Sequence, residues 1–207
     1  MAERFVEEKA DFHPRSWLSK YKRNSVGYLT KMLLFYHGIG ILLLLAVTPL
    51  IEQALPDYEQ PIIPRSLLLV LAAGPLEETI FFGIPFYIFG NVYFVLATGA
   101  IWVGIHLFNT DTLSVNSLAF GNLVFVLPSL FFSLRTWLSG KGWFSVVTHS
   151  AWNGIFFYAG CSAGEFSCTA IESDISATVT TIVLSGGLLG VAYLLYRRRE
   201  KKEFRLL

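Results

Sequence analysis

The sequence predicts an all-α protein that crosses a membrane several times. Of its 207 residues, 54% are hydrophobic and only 15% are charged, whereas a soluble domain carries about 25% charged residues. A soluble fold of this size has too little interior to bury so much apolar surface. Apolar segments of about 20 residues, the length a helix needs to span a bilayer, recur along the chain. Lipid offers backbone groups no hydrogen-bond partners and the segments lack the alternation of barrel strands, so each is predicted to be a helix.

Six apolar segments define the predicted transmembrane helices. The first is too long for the apolar part of a secretory signal and no A-x-A-like cleavage site follows it, so we expect it to be retained. The predicted spans are Leu29–Ile51, Ser66–Phe89, Asn91–Phe108, Val115–Leu138, Trp143–Gly160 and Ile175–Tyr196. They divide the chain into a cytoplasmic or interfacial N-terminal segment (1–28), a membrane domain (29–196, with a core at 66–160) and a basic tail (197–207).

The positions of the basic residues predict the orientation of these spans. All of them except Arg65 lie before or at the start of the first span, around the turn between the fourth and fifth, or after the sixth. Six spans place these three groups on one side, and basic residues favour the cytoplasm. The protein is therefore predicted to be a multi-pass integral membrane protein, in contact with lipid, with both termini cytoplasmic. The net charge of +1 gives no reason to expect a nucleic-acid partner.

The two cysteines, Cys161 and Cys168, lie in the loop that this topology places outside the cytoplasm. An oxidising exterior would allow a disulfide across that loop, and two free thiols are the alternative. A Cα separation above about 7 Å would exclude the bond.

Few ionisable residues lie within the predicted spans, and each is a candidate for function because a charge in the bilayer is costly. Glu77 and Glu78 lie midway along the second span, and His106 and His149 lie in the third and fifth. His37, in the first span, fits a core histidine and is left out of the site. Because adjacent residues point about 100° apart on a helix, one glutamate is expected to be chemical and the other structural.

The spacing of these residues suits the hydrolysis of an amide. Trp102 and His106 are four residues apart, as are His149 and Asn153, so each pair shares a helix face. A carboxylate can take a proton from water, an imidazole can orient that water, and His and Asn donors can stabilise the oxyanion. Buried glutamate and histidine also serve proton relays and helix contacts, so the chemistry alone leaves those interpretations open.

Three short segments resemble the motifs of a known family. They are Glu77-Glu78-Thr-Ile-Phe-Phe82, Trp102-Val-Gly-Ile-His106 and His149-Ser-Ala-Trp-Asn153. In this order they resemble the EExxxR, FxxxH and HxxxN motifs of the CPBP family of intramembrane proteases, which includes the CAAX prenyl endopeptidases of the Rce1/Abi-like group. The resemblance covers about residues 66–160.

The resemblance implies a role for each motif residue. Glu77 would act as the general base on water, assisted by His106, and Glu78 would support the site. His149 and Asn153 would form the oxyanion hole. The best-studied members of the family remove the last three residues of prenylated CaaX proteins, so the implied substrate is a membrane-anchored protein or a prenylated peptide.

Two positions depart from the family motifs. Phe82 stands where the first motif has arginine, and Trp102 stands where the second has phenylalanine. An arginine four residues after Glu78 would lie on the same helix face and neutralise it. With phenylalanine there, Glu78 has to be protonated, bonded to a polar group on another helix or reached by water.

The sequence leaves three functions open. The leading hypothesis is an intramembrane endopeptidase that uses a glutamate-activated water. A catalytically impaired scaffold or immunity-type protein of the same fold is the second, and Phe82 favours it; a small proton-coupled transporter is the third, but no repeats or broken helix pairs support it. The endopeptidase is expected to need no cofactor. The alternative is a zinc site of Glu77, His106 and His149, although these residues lack the short spacing usual for zinc ligands.

Overall fold

Helices make up almost all of the structure. The computed structural model describes residues 24–54, 64–89, 91–106, 117–163, 167–169 and 175–200. Its elements are α1 (Val26–Ala54), β1 (Pro64–Ser66), α2 (Leu67–Glu78), a π-helical segment (Thr79–Gly83), α3 (Ile84–Phe89), α4 (Val92–Ile105), α5 (Ser117–Leu138), α6 (Gly142–Ala163), β2 (Ser167–Thr169) and α7 (Ile175–Glu200). Because α2, the π-helical segment and α3 are continuous, the described residues form six helical rods, one for each predicted span. The all-α fold class is confirmed.

The ends of the six rods agree with the predicted spans to within a few residues. Two rods contain stretches long and apolar enough to cross a membrane, Val26–Leu50 and Leu67–Phe89. Three other rods contain shorter apolar stretches, Val92–Ile105, Leu123–Leu138 and Val179–Leu195. Large aliphatic and aromatic side chains are exposed on the outer faces of the rods, as expected where lipid replaces water.

The number of passes, the cytoplasmic position of both termini and the division of the chain at residues 28 and 196 stay predictions. Residues 1–23 and 201–207, which include most of the predicted N-terminal segment and of the basic tail, lie outside the described residues.

Two hydrophobic cores hold the rods together. α1 packs along α5, α2 packs along α6 and α7, and α4 packs against α5 and the π-helical segment. The core between α1 and α5 contains Tyr28, Leu29, Met32, Tyr36 and Phe132. The larger core lies where the π-helical segment, α4 and α5 meet, and it includes Phe82, Trp102, Leu134 and Trp137. This larger core adjoins the ionisable residues of α2.

A tight turn sets α5 beside α6. Gly140 has a φ of 69°, a left-handed conformation that glycine adopts without a Cβ penalty. The Gly140 N–H donates to the carbonyl of Trp137, and the Lys141 N–H donates to the carbonyl of Thr136. This is the Schellman pattern that ends a helix. Both helices therefore present side chains to the same part of α2.

A disulfide and a small sheet connect the far ends of α2 and α6. Cys161 and Cys168 are bonded, with their Cα atoms 5.9 Å apart, so of the two alternatives that the sequence left open the structure has the disulfide. Cys168 lies in β2, which pairs in parallel with β1 so that Arg65 is opposite Cys168. Because β1 leads directly into α2, the disulfide ties the end of α6 to the start of α2. Strands of three residues carry no sequence pattern, and they were not predicted.

Candidate active site

The close approach of α2 to α6 depends on a glycine and a proline. Gly74 faces Ser150, and a Cβ atom at position 74 would lie 2.8 Å from the Ser150 backbone nitrogen. Pro75 has no N–H, which leaves the carbonyl of Leu71 without its usual helical donor. The Ser150 hydroxyl donates to that carbonyl at 2.8 Å. α6 therefore lies close enough to α2 for His149 to reach the two glutamates.

The π-helical segment docks α4 beside the same glutamates. π turns are rare and frequent at functional sites, and they disturb the regular pairing of backbone groups. Thr98 on α4 donates its hydroxyl to the carbonyl of Phe81 in this segment. Gly99 allows the approach, since a Cβ atom there would lie 2.9 Å from the Phe82 ring. Phe82, which stands at the arginine position of the family motif, thus packs against α4.

Glu78 is enclosed by side chains from α5 and α6, and only 1% of it is exposed. Ser133 donates its hydroxyl to Oε1 at 2.7 Å, and Trp137 donates its indole N–H to Oε2 at 2.9 Å. His149 Nδ1 lies 3.3 Å from Oε1, and Ser145 extends the network by donating to Ser133. With phenylalanine at position 82, Glu78 was expected to be protonated, bonded to a polar group on another helix or reached by water. In the structure it is bonded to polar groups on other helices.

Glu77 points in another direction, toward Trp102 and His106 at the end of α4 and His149 on α6. Its side chain is 31% exposed, and its Oε2 accepts the indole N–H of Trp102 at 2.6 Å. The Nε2 atoms of His106 and His149 lie 3.9 and 3.6 Å from the same oxygen. The structure thus brings together three of the four residues for which catalysis was predicted.

Each imidazole is oriented through its other ring nitrogen. His106 Nδ1 lies 2.8 Å from the carbonyl oxygen of Trp102, and because a carbonyl only accepts, this nitrogen is the donor. His149 Nδ1 faces Glu78. In both rings Nε2 is therefore the atom directed at Glu77, which is the arrangement of catalytic histidines held by an orienting partner.

α4 ends earlier than predicted, with His106 at its end. α4 has 14 residues, which is about 21 Å, less than the roughly 30 Å of a hydrocarbon core. It ends at Ile105, three residues before the predicted end of the third span, and His106 is its C-cap. The His106 side chain is 15% exposed and its Nε2 lies 3.9 Å from Glu77 Oε2, so His106 lies inside the bundle rather than at its outer edge.

Asn153 lies one helical turn beyond His149 on α6. Its Nδ2 donates to the carbonyl of Val70 at 3.3 Å. Val70 precedes Glu77 by seven residues, about 10 Å along α2, so Asn153 does not share the carboxylate oxygen that the two imidazoles face. A side-chain amide has two N–H groups, and the bond to Val70 uses one of them.

His37 has the contacts of a core histidine. Its Nδ1 lies 3.0 Å from the carbonyl of Leu33, and its Nε2 lies 3.5 Å from the Ser129 hydroxyl. Its ring stacks on Trp152 with centroids 5.2 Å apart. These contacts account for a buried imidazole without a catalytic role.

Ser133 and Trp137 complete the site, and they were not predicted from the sequence. They are ordinary residues in an apolar helix, and their spacing of four is the one signal that places two hydrogen-bonding groups on the same face. The hydrogen bond from Trp102 to Glu77 was not predicted either. The spacing of four pairs Trp102 with His106 on one helix, but the bond to Glu77 depends on a contact between two helices.

The geometry defines a class of protein, an α-helical membrane protein with a carboxylate and two oriented imidazoles gathered among its helices. Residues 59–155 match the model of the Rce1-like family, type II CAAX prenyl endopeptidases. This segment is similar to the family, which is a family of membrane-embedded proteases, and it carries all three motifs. Neither a search of curated proteins nor a search of solved structures returned a significant match.

Proposed function

We propose that the protein is an intramembrane endopeptidase that cleaves a peptide bond near the C-terminus of a membrane-anchored, prenylated CaaX protein by means of a glutamate-activated water. The family supports a CAAX-type protease. The observation that carries the mechanism is the convergence of His106 Nε2 and His149 Nε2 on Glu77 Oε2, at 3.9 and 3.6 Å, from two separate helices.

The carboxylate has one oxygen engaged and one available for water. Among the described residues, the hydrogen bond from Trp102 and both imidazole contacts address Oε2 of Glu77. Oε1 is therefore the oxygen that takes the proton from water. The side chain is about one third exposed, which leaves water a route to it.

The reaction follows from these positions. Glu77 removes a proton as the water oxygen bonds to the scissile carbonyl carbon, and His106 holds that water. The negative charge that develops on the carbonyl oxygen is met by His149 Nε2 and by an N–H of Asn153. When the C–N bond breaks, the proton on Glu77 passes to the leaving amine. Glu78 does not touch the substrate and acts through His149.

The donor set argues for a mechanism without a metal. The indole N–H of Trp102 points at Glu77 Oε2, the same oxygen that the two imidazoles face, and an N–H donor opposes a cation at that point. No cluster of three or more His, Cys, Asp or Glu side chains suited to a metal ion occurs in the part of the chain that the structure describes. The proposal therefore uses no metal, and no step is derived through the alternative zinc site of Glu77, His106 and His149.

Cleavage of a defined peptide tests the proposal. The purified protein in lipid nanodiscs is incubated with a farnesylated CaaX peptide and with the same peptide lacking the lipid, and the products are identified by mass. We expect loss of the last three residues from the farnesylated peptide, no cleavage by Glu77→Gln, and normal cleavage by Glu200→Gln, a matched change at the end of α7. A wild-type protein that binds the farnesylated peptide without cleaving it would favour the scaffold interpretation instead.

A further inference from the structure

We propose that Trp102 is a positioning residue for Glu77, which fixes one carboxylate oxygen so that the other faces the attacking water. The inference rests on the proposed function and adds a residue to it. Trp102 occupies the position at which the family motif has phenylalanine, a side chain without a hydrogen-bond donor.

The first support is the bond itself. Trp102 Nε1 lies 2.6 Å from Glu77 Oε2, which is hydrogen-bonding distance, and bonds to an ionised acceptor are among the stronger ones. An indole nitrogen only donates, so the direction of the bond does not depend on a tautomer. Trp102 is 3% exposed, and its ring therefore cannot turn away without disturbing the core.

The second support is that the same residue contacts both imidazoles. The Trp102 ring meets the ring of His106 edge to face at 5.0 Å and that of His149 at 5.6 Å, and its carbonyl accepts from His106 Nδ1. One side chain on α4 thus touches the base and both histidines. This arrangement sets the angle between them as well as the orientation of the carboxylate.

The third support is the contact between the two departures from the family motifs. Phe82 and Trp102 pack edge to face with centroids 5.5 Å apart. Phe82 is completely buried and lies against Gly99. If its ring moved away from the indole, it would leave an empty cavity in the core. In this chain a donor to the glutamate pair comes from position 102 on α4, while position 82 supplies the surface that holds that donor in place.

Without the indole bond, a partly exposed carboxylate gains freedom about its terminal torsion. Both oxygens would then exchange between the imidazoles and solvent, and fewer molecules would present a base oxygen to the water. The loss concerns orientation at the reacting centre, so it lowers kcat and leaves substrate binding largely unchanged.

The test compares Trp102→Phe with Trp143→Phe, a control at a tryptophan that is more than half exposed. For Trp102→Phe we expect kcat for the farnesylated peptide to fall about 10- to 100-fold, the range for losing one hydrogen bond to a charged group. KM and peptide binding should stay near the wild-type values, the unfolding midpoint should fall because the buried ring loses volume and a hydrogen bond, and the control should match the wild type throughout. A merely structural role would also lower the midpoint but would leave the kcat of the folded fraction unchanged.

A second substitution keeps the inference testable if Trp102→Phe fails to fold. Replacing Trp102 by 3-benzothienylalanine keeps the bicyclic shape and exchanges the N–H donor for a sulfur atom that cannot donate, and the same fall in kcat is expected. Unchanged kcat in the folded benzothienyl protein would overturn the inference while Glu77→Gln remained inactive, and the proposed function would stand. Absence of cleavage by the wild type would instead reject the proposed function.

Discussion

Exchanging each glutamate for glutamine separates two roles that neighbouring residues have in this site. Glu77 is partly exposed and faces two imidazoles, whereas Glu78 is buried among donors from α5 and α6. Glutamine keeps the size of the side chain and removes its charge and basicity. We therefore expect Glu77→Gln to abolish cleavage with little effect on stability, and Glu78→Gln to lower stability while retaining part of the activity.

The contacts of Glu78 give the size of the stability effect. Ser133 and Trp137 donate to different carboxylate oxygens, and glutamine turns one of those oxygens into a donor. An NH₂ group opposite Trp137 would face an indole that cannot accept. An NH₂ group opposite Ser133 would require the serine hydroxyl to turn and accept. In either orientation, the hydrogen bonds that remain would lose their charged acceptor. Losing one such bond costs about 1.5–3 kcal/mol, which is the expected fall in the free energy of unfolding.

Glu77→Gln keeps an oxygen that accepts from Trp102, so its effect on stability should stay below about 1 kcal/mol. Unfolding in mixed micelles measures the stability of both variants, and the initial rate of peptide cleavage measures their activity. Equal losses of stability, or complete inactivity of both variants at wild-type folding, would refute the division between a chemical and a structural glutamate.

The remaining predictions concern packing, the disulfide and metals. Gly74→Ala should weaken folding and cleavage because its Cβ would meet the Ser150 backbone, whereas Gly38→Ala, which has open space, should match the wild type in both assays. Reducing the Cys161–Cys168 bond should lower stability by about 2–3 kcal/mol in the chain-entropy model; an unchanged unfolding midpoint in reductant would contradict this. Cleavage should persist at full rate after dialysis against a zinc chelator, and recovery of a lost rate by added Zn²⁺ would contradict the metal-free mechanism.

The fold could be predicted because lipid simplifies the relation between sequence and structure. Within hydrocarbon, a segment has to form its backbone hydrogen bonds internally, and a helix does this. The length of the apolar segments is therefore enough to predict the six rods. The end of α4 was harder to predict. The apolar run continues to Phe108, but the helix stops at Ile105, and no residue there marks the end.

Part of the site could be predicted because an ionisable residue in an apolar run has few explanations. Glu77, His106 and His149 were found on that ground. The partners of Glu78 could not be found in this way, because Ser133 and Trp137 are compatible with an apolar helix whether or not they bind anything. The role of Gly74 is equally hidden, since glycine is common in membrane helices and only the position of Ser150 reveals why it is needed.

A single-turnover reaction in ¹⁸O-labelled water tests the central claim, that Glu77 activates a water and does not itself attack the peptide. Excess protein is mixed with the farnesylated peptide, and the product and the Glu77-containing fragment are examined by mass. The mechanism predicts one ¹⁸O atom in the new carboxylate of the first-turnover product and none in Glu77, with no product from Glu77→Gln. An unlabelled first-turnover product with ¹⁸O in the Glu77 carboxylate would contradict it and would make this residue a nucleophile.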